Sequence, residues 1–400
     1  MKQSPTLLDA ERVRVYPCLF LAAYAAVAAY LLLVSKNMVD PWGKPLGYDF
    51  MTFYAAAKMS LAGHAAAAFD IVKMLAVEKT VLPHIDMPFQ WAYPPTFQLL
   101  SAPLALLPYG VSYLAFMGST ITAWAFTLWR LPAVRPYTTL MLAAPATAVC
   151  VFHGQNTMIT AALFAGGMGL LSKRPFWAGI ILGGLAFKPQ MGLLLSIAFA
   201  VSGQWRAFIG AALSAALFSA LATAVFGIGL WSAFIDHFAF VQMILRNGFL
   251  PWSKMPSAFV FCRLLGIAEV PAFAFQMLTA SAVALTVAIV WRRAGPSPLA
   301  GATLMTGTLL LMPYVFDYEF VVLLLPLALL AVDIGEHGAA LPEKLVLAFA
   351  YGIAPLMRPL ADWTHVQFGF IVLLLTFALC ARRALARAAT TPSRALAAPG

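Results

Sequence analysis

The run VYPCLFLAAYAAVAAYLLLV, which extends from Val15 to Val34, contains no charged residue. An α-helix needs about 20 such residues to cross the roughly 30 Å hydrocarbon core of a bilayer. Similar uncharged runs recur at residues 111–129, 207–228 and 271–291. The first run has no small-residue cleavage site before Lys36, so we interpret it as a retained helix and not as a signal peptide. The pattern predicts an all-α protein that crosses a membrane several times.

The composition agrees with this interpretation, because 62% of the residues are hydrophobic and only 10% are charged. Soluble domains have roughly 25% charged residues. The net charge of +10 is spread over small clusters between the apolar runs, so we expect no nucleic-acid partner. The four cysteines are scattered singly and lack metal-ligand spacing, which favours structural thiols.

Cytoplasmic loops of membrane proteins are enriched in Lys and Arg, and this rule orients the predicted helices. Both termini are then cytoplasmic, and the apolar runs give about twelve crossings of a bacterial inner membrane. Residues 95–107 are interpreted as a re-entrant helix in preference to a crossing. We expect a single transmembrane domain over residues 1–381 and a disordered cytoplasmic tail over residues 382–400. The basic anchors are Arg12, Arg14, Arg130, Arg135, Lys173, Arg174, Arg206, Arg292, Arg293, Lys344, Arg382, Arg383 and Arg387.

The remaining polar clusters all fall on the extracytoplasmic face in this topology. The longest loop, residues 35–93, lies on the same face, and residues 50–61 and 69–80 within it have helical apolar periodicity. This periodicity predicts two interfacial helices. We therefore expect a site assembled from separate parts of the chain, namely residues 48–50, 91–95, 154–156, 188–190 and 313–319.

Asp49 is the first candidate for chemistry. It lies in a short polar interval between Pro45 and the apolar run that starts at Phe53, which places it at the membrane surface. A carboxylate at the edge of a low-dielectric region is a candidate general base. The alternative is a helix N-cap, because Asp is a favoured cap and a helical pattern follows directly.

Lys188 lies between two apolar runs, and no acidic residue occurs between Asp86 and Asp236. An ammonium at membrane depth is costly and is normally paired. Lys188 therefore binds an anionic ligand or forms an ion pair with a distant acid such as Asp49 or Asp317.

His153, Gln155 and Asn156 place hydrogen-bonding side chains between two apolar runs. Unsatisfied amides there cost several kcal/mol, so a polar partner is required. A hydroxyl-rich ligand meets this need, and hydrogen bonds between helices are the alternative. Taken alone, His153 is better interpreted as a histidine whose hydrogen bonds are satisfied within the protein than as a catalytic residue.

The Asp317-Tyr318-Glu319 sequence is similar to a D-x-E metal-diphosphate motif, but alternate positions on a helix point apart. The six histidines form no pair at metal-ligand spacing, so a metal site is disfavoured. The chain also lacks a P-loop and a strand-flanked G-x-G-x-x-G motif, which disfavours a nucleotide substrate.

Short motifs in a fixed order resemble glycosyltransferase family 87, whose best-studied members are mannosyltransferases of the GT-C superfamily. The similarity covers about residues 23–293 and weakens afterwards. The later proline-rich stretch often carries a histidine pair in actinobacterial members, whereas this chain has Pro313-Tyr314 and Asp317-Tyr318. The motifs are Tyr48-Asp49-Phe50 with Tyr54-Ala55-Ala56, Tyr93-Pro94-Pro95 with Pro103-Leu104 and Leu107-Pro108, Gly154-Gln155-Asn156, and Gly179 to Lys188-Pro189.

The resemblance implies a GT-C-like helical bundle, a polyprenyl-phosphate-linked hexose donor, a lipid or glycan acceptor and an extracytoplasmic active site. Asp49 occupies the position of the family's general base in an inverting transfer, and Lys188 would stabilise the leaving phosphate. A departing monophosphate carries less charge than a diphosphate, so we expect no metal or other cofactor. The expected sugar- or acceptor-binding residues are Tyr54, Trp91, Tyr93, His153, Gln155, Asn156, Asp317 and Tyr318.

Two alternatives remain open at the level of the sequence. Tyr54, Trp91 and Tyr93 can equally be aromatic anchors at the membrane interface. The whole chain can also be a transporter or flippase of an anionic lipid, with Lys188 and Asp49 in a cavity of broken helices. Duplicated halves would favour transport, and none is visible.

Overall fold

The computed structural model describes residues 10–85 and 88–390. These residues form nineteen α-helices and no β-strand, which confirms the helical membrane fold predicted from the sequence. Short 3₁₀ turns join several of the helices. The helices are α1 Ala10–Val34, α2 Phe50–Leu61, α3 Ile71–Val81, α4 Pro95–Ser101, α5 Tyr109–Trp129, α6 Thr138–Leu142, α7 Pro145–His153, α8 Thr157–Leu170, α9 Pro175–Gly183, α10 Leu193–Val201, α11 Trp205–Phe226, α12 Gly229–Arg246, α13 Ala258–Leu264, α14 Glu269–Ala294, α15 Pro298–Leu311, α16 Phe320–His337, α17 Leu341–Gly352, α18 Met357–Thr364 and α19 Phe368–Thr390.

Six helices in the described part of the chain are long and apolar enough to span a membrane, and a bent pair, α17 with the segment Ala354–Thr364, raises this number to seven. The expected count of about twelve is therefore not confirmed. Four shorter apolar stretches account for part of the difference. Two of them, Pro175–Phe187 and Pro189–Val201, meet at Lys188, as the broken-helix pattern predicted.

The core of the bundle is formed by α8, α15, α16 and α19, whose apolar side chains belong to one buried cluster. Small residues allow α9 and α11 to approach closely beside it. A Cβ atom on Gly179 would lie 2.1 Å from the Ala207 carbonyl oxygen, and one on Gly210 would lie 2.3 Å from the Phe176 carbonyl oxygen. Gly179 therefore serves helix packing, as expected for a small-residue pair.

The long first loop contains the two predicted helices, α2 and α3, but their environments differ. Most side chains of α2 are buried, so α2 lies inside the protein and the expectation of an interfacial helix is wrong for it. Its large apolar residues cover all sides of the helix, which suits a buried environment. The buried residues of α3 are Met74 and Glu78, so α3 keeps a broad exposed surface.

Two further expectations concern segment boundaries. α4 and the following 3₁₀ turn, Ala102–Leu106, are too short to cross a bilayer, in agreement with the preference for a re-entrant segment. The tail expected to be disordered from residue 382 is helical as far as Thr390, where the buried Arg383 pairs with Glu343 of α17. Residues 391–400 lie outside the described part of the chain.

Candidate active site

The loop that carries Asp49 is docked on the turn between α7 and α8. The Asp49 amide donates a hydrogen bond to the His153 carbonyl oxygen, at 3.0 Å. Gly154 ends α7 with a φ of +64°, and a Cβ atom there would lie 2.5 Å from the Phe50 Cβ and 2.6 Å from the Gly47 carbonyl oxygen. Glycine is required at this position because of both its backbone conformation and this contact. The two sequence motifs at residues 48–50 and 154–156 therefore meet.

The Asp49 side chain is held by a short chain of hydrogen bonds. Gln155 Nε2 donates to Asp49 Oδ2 at 2.8 Å, and the Tyr93 hydroxyl donates to Gln155 Oε1 at 3.1 Å. The two partners fix the orientation of the Gln155 amide, because a carboxylate only accepts and the amide oxygen is the acceptor for Tyr93. Asp49 makes no side-chain capping bond to α2, so the N-cap interpretation has no support in the geometry.

His153 connects this turn to a lysine that the sequence analysis did not select. His153 Nδ1 lies 2.9 Å from the Val149 carbonyl oxygen, and its Nε2 lies 2.7 Å from Lys254 Nζ. A carbonyl oxygen only accepts, so we assign the proton to Nδ1, which leaves Nε2 of the neutral ring as an acceptor for the ammonium. The rings of Tyr48 and Tyr318 flank the imidazole at centroid distances of 5.3 Å and 5.9 Å.

Lys188 is buried and forms an ion pair with Glu319, at 2.6 Å between Nζ and Oε1. Its partner is therefore neither of the two acids expected from the sequence, Asp49 and Asp317. The ammonium also lies 5.9 Å from the centroid of the Tyr93 ring. Because a carboxylate already neutralises Lys188, the ion-pair alternative describes this residue better than the expected role in binding the donor phosphate.

Asp317 and Tyr318 belong to the 3₁₀ turn that precedes α16. Asp317 Oδ1 accepts a hydrogen bond from the Tyr318 amide at 2.9 Å. The side chains of Asp317 and Glu319 therefore have different partners, and the D-x-E motif does not form a shared ligand set. In residues 10–85 and 88–390 no group of three His, Cys, Asp or Glu side chains is arranged to hold a metal ion.

Several polar side chains near this turn are buried without a hydrogen-bond partner in the described structure. Asn156 is fully buried, and neither its Nδ2 nor its Oδ1 has a partner. The same is true of the hydroxyls of Thr157 and Thr160 and of Glu319 Oε2. A buried polar group without a partner costs about 1–3 kcal/mol, so this cluster is suited to a ligand with many hydroxyl groups.

Burial also shifts the ionisation of the side chains around Asp49. It raises the pKa of Tyr48 to about 12, and it raises the pKa of Tyr93 well above its usual range. Both phenols therefore remain hydrogen-bond donors at neutral pH. Burial lowers the pKa of Lys254, and the negative charges of Asp317 and Asp49 oppose this effect.

Two predicted site residues lie in the neighbouring aromatic cluster and not beside Asp49. The Tyr54 hydroxyl donates to the Leu107 carbonyl oxygen at 2.8 Å, and its ring contacts the Tyr109 ring. Trp91 is buried with its ring centroid 5.3 Å from that of Tyr93. Trp91 therefore packs against Tyr93 and Tyr54 packs against Tyr109, and their contact with a sugar stays a prediction. The structure does bring together Asp49, Tyr93, His153, Gln155, Asn156, Lys188, Asp317 and Tyr318.

Lys254 and Glu319 were missed by the sequence analysis. Glu319 belongs to the selected 313–319 cluster, but only the fold shows that it reaches Lys188 across 131 positions. Lys254 lies in the 3₁₀ turn Trp252–Lys254, between α12 and α13. Its one available signal was the isolated lysine between two tight turns at Pro251 and Pro256.

Comparison with known proteins adds one finding to this geometry. The sequence model of glycosyltransferase family 87 matches residues 91–313, which is more than half of the chain. No curated protein and no solved structure matches the chain. The matched region contains Tyr93, Gln155, Lys188 and Lys254, whereas Asp49 and Glu319 lie outside it.

Proposed function

This chain belongs to glycosyltransferase family 87, and we propose that it transfers a hexose such as mannose from a polyprenyl-phosphate donor to a lipid or glycan hydroxyl. The proposed site is the cluster around Asp49, on the extracytoplasmic side of a bacterial inner membrane. The observation that carries the proposal is the Asp49 carboxylate held by Gln155, 2.8 Å away, next to buried polar groups that have no partner among the residues the structure describes.

Asp49 acts as the general base in this proposal. The acceptor oxygen attacks C1 of the sugar, and its proton passes to the Asp49 carboxylate. The bond between C1 and the phosphate oxygen breaks, and its electron pair leaves with the polyprenyl phosphate. One bond forms and one breaks at C1, so a single displacement inverts the anomeric configuration. No redox change occurs, and the step needs no further reactant.

Gln155 and Tyr93 position the base. Gln155 can direct its amide nitrogen to Asp49 because its oxygen is occupied by the Tyr93 hydroxyl. The Tyr93 ring is packed between Phe53 and Phe97, at centroid distances of 5.3 Å and 4.5 Å. This buried aromatic support limits the movement of the hydrogen-bond chain, which favours catalysis by a preorganised group.

Asn156 is the residue that we assign to the sugar. Its amide offers two donors and one acceptor group, and its hydroxyl neighbours on α8, Thr157 and Thr160, lack partners as well. Sugar hydroxyls supply both donors and acceptors. Lys188 and Glu319 hold the break between α9 and α10 against the start of α16, and the Lys188 ammonium supports the Tyr93 ring.

The proposal is tested by mass spectrometry of lipids and envelope glycans from a strain that lacks the gene. We expect the deletion strain to lose a hexose-containing species and to accumulate its unmodified acceptor, and we expect the wild-type gene to restore the product. A gene with Asp49→Asn should fail to restore it. Identical lipids and glycans in the wild-type and deletion strains would overturn the proposal.

Asp70→Asn is the matched control. Asp70 is an exposed carboxylate directly before α3, and it caps the helix through the amides of Val72 and Lys73. An asparagine also caps helices well, so this variant makes the same chemical change without affecting the site. We expect it to restore the product fully.

A further inference from the structure

Lys254 differs from Lys188 in having no carboxylate partner in direct contact. Among the side chains that the structure describes, the cations in ion pairs are Lys73, Lys188, five arginines and, when protonated, His337, and Lys254 is absent from them. Its close contact is the neutral acceptor nitrogen of His153, at 2.7 Å. A neutral imidazole orients an ammonium without cancelling its charge. Lys254 therefore presents a positive charge at the site that remains available for an anion.

The turn that carries Lys254 is fixed from a separate helix. Gln367, directly before α19, is fully buried, and its Nε2 donates to the carbonyl oxygens of Trp252 and Ser253 at 3.3 Å and 2.9 Å. His153 is fixed in the same way by its bond to Val149. The turn of Lys254 is thus held by the Gln367 amide, and the His153 ring is held by the Val149 carbonyl oxygen, which is the arrangement expected of a preorganised binding group.

Two more cations act on the same region. The charges of Arg358 and Lys44 both lower the pKa of Lys254, which places them close enough to be felt by its ammonium. Lys44 Nζ lies 5.4 Å from the centroid of the Tyr48 ring, and the Tyr48 ring in turn flanks His153. Arg358 pairs with Asp362 at 3.5 Å, and both side chains are half exposed. The negative charges of Asp317 and Asp49 raise the pKa of Lys254 more strongly than these two cations lower it, so charges of both signs surround its ammonium.

We propose that the ammonium of Lys254, oriented by His153, binds the phosphate of the polyprenyl-phosphate sugar and stabilises the charge that develops on it. This inference rests on the proposed function. In this proposal the phosphate-binding role passes from Lys188, which is neutralised by Glu319, to Lys254, which has no carboxylate in direct contact.

The charge balance of the transfer explains why a cation is needed there. The donor phosphate is a diester with one negative charge, and the leaving polyprenyl phosphate is a monoester that gains a second negative charge when the bond to C1 breaks. A fixed cation near this oxygen therefore stabilises the transition state more than the bound donor. The proton of the acceptor hydroxyl goes to Asp49, so Lys254 need not give up its own proton.

Binding of farnesyl phosphate to the purified full-length protein, compared with binding of farnesol, tests the inference. We expect Lys254→Ala to weaken farnesyl phosphate binding about tenfold or more, as for loss of one charge-assisted hydrogen bond, and to leave farnesol binding unchanged. Lys254→Arg should retain most of the affinity, because it keeps the charge. Lys173→Ala, an exposed lysine in the turn between α8 and α9, is the control and should behave as wild type.

Each outcome distinguishes the two proposals. Wild-type affinity of Lys254→Ala for farnesyl phosphate would overturn the inference, and so would a loss of affinity in Lys188→Ala alone. If the wild-type protein binds farnesyl phosphate no better than farnesol, the donor class of the proposed function is wrong. If Lys254→Ala behaves as expected but Asp49→Asn still transfers sugar, the phosphate site stands and the proposed base is wrong. Thermal unfolding of each variant shows that the altered binding is not caused by misfolding.

Discussion

The two ends of α16 carry acidic side chains in opposite electrostatic environments. At its C-terminal end, Asp333 accepts hydrogen bonds from Arg383 and Arg387, and Glu343 accepts from Arg382 and Arg383. At its N-terminal end, Asp317 accepts from the Tyr318 amide, and Glu319 pairs with Lys188 through one oxygen while its other oxygen has no partner in the described structure. One end is a network of satisfied charges, and the other end borders polar groups that lack partners.

This difference separates stability from function. A buried charge that has its partners holds helices in register, and removing one partner leaves the other charge uncompensated. Buried polar groups without partners lower stability and persist where a ligand satisfies them. We therefore expect variants of the C-terminal network to unfold the protein, and variants of the partnerless groups near the N-terminal end, such as Asn156, to lose activity while the protein remains folded.

The largest effect is expected for Asp49→Asn in a transfer assay with purified protein. An amide cannot take the acceptor proton, so turnover should fall by about 10²–10⁴. The melting temperature should stay near that of wild type, because Asn can keep the hydrogen bond to Gln155 after rotation of its amide. Near-normal turnover would show that another group is the base.

Arg383→Met tests the opposite end of α16. Arg383 is buried and contacts both Asp333 and Glu343, so its removal leaves two carboxylates short of a partner. We expect a loss of about 3–5 kcal/mol in the free energy of unfolding, with activity per folded molecule retained. Arg382→Met is the control, since its side chain is 66% exposed and should matter little. Equal free energies of unfolding for the two variants would contradict the proposed difference between the two ends of α16.

Asn156→Ala should reduce sugar binding without reducing stability. In the described structure the Asn156 amide makes no hydrogen bond of normal geometry, although it lies near enough to the Tyr93 hydroxyl to lower the pKa of Tyr93, so the free energy of unfolding should change by less than about 1 kcal/mol. The KM for the donor should rise by about tenfold. Gln276→Ala is the matched control, because this buried amide bonds Phe259, Leu310 and Leu311. That variant should lose stability in a thermal unfolding experiment.

Glu78 represents a third environment, with neither an arginine partner nor a place in the site. Both its oxygens accept from the Phe89 amide, and burial raises the pKa of Glu78 to about 8 from 4.5. Between pH 4.5 and about 8, Glu78 is protonated in the folded protein and ionised in the unfolded chain. The contribution of Glu78 to the free energy of unfolding is therefore lost as the pH rises from 4.5 through about 8.

Glu78→Gln should remove this dependence of stability on pH. We expect melting temperatures that match wild type near pH 4.5 and exceed it above pH 8. A wild-type protein that is equally stable across this range would show that Glu78 has an environment other than the one described.

Local sequence features identified much of the candidate site. The features that could not be predicted depend on contacts between residues far apart in the sequence. Asp49, Gln155 and Lys188 were selected because polar groups between apolar runs need partners. The pairing of Lys188 with Glu319 was not visible, since it depends on how two helix breaks meet. The burial of α2 was also not predicted, because an apolar periodicity does not distinguish a membrane surface from a protein interior. Lys254 was missed because nothing local marks a lysine whose partner is a distant histidine.

The central claim is that Asp49 works at a site open to the exterior, and the sidedness of its loop tests this most directly. In a Cys18→Ser background, which removes an exposed thiol, single variants Lys44→Cys and Ser172→Cys are treated with a membrane-impermeant thiol reagent in intact cells. We expect labelling of Lys44→Cys in intact cells and labelling of Ser172→Cys only after permeabilisation. Labelling of Lys44→Cys only in permeabilised cells would place Asp49 inside, where it cannot meet an extracytoplasmic donor, and would contradict the account.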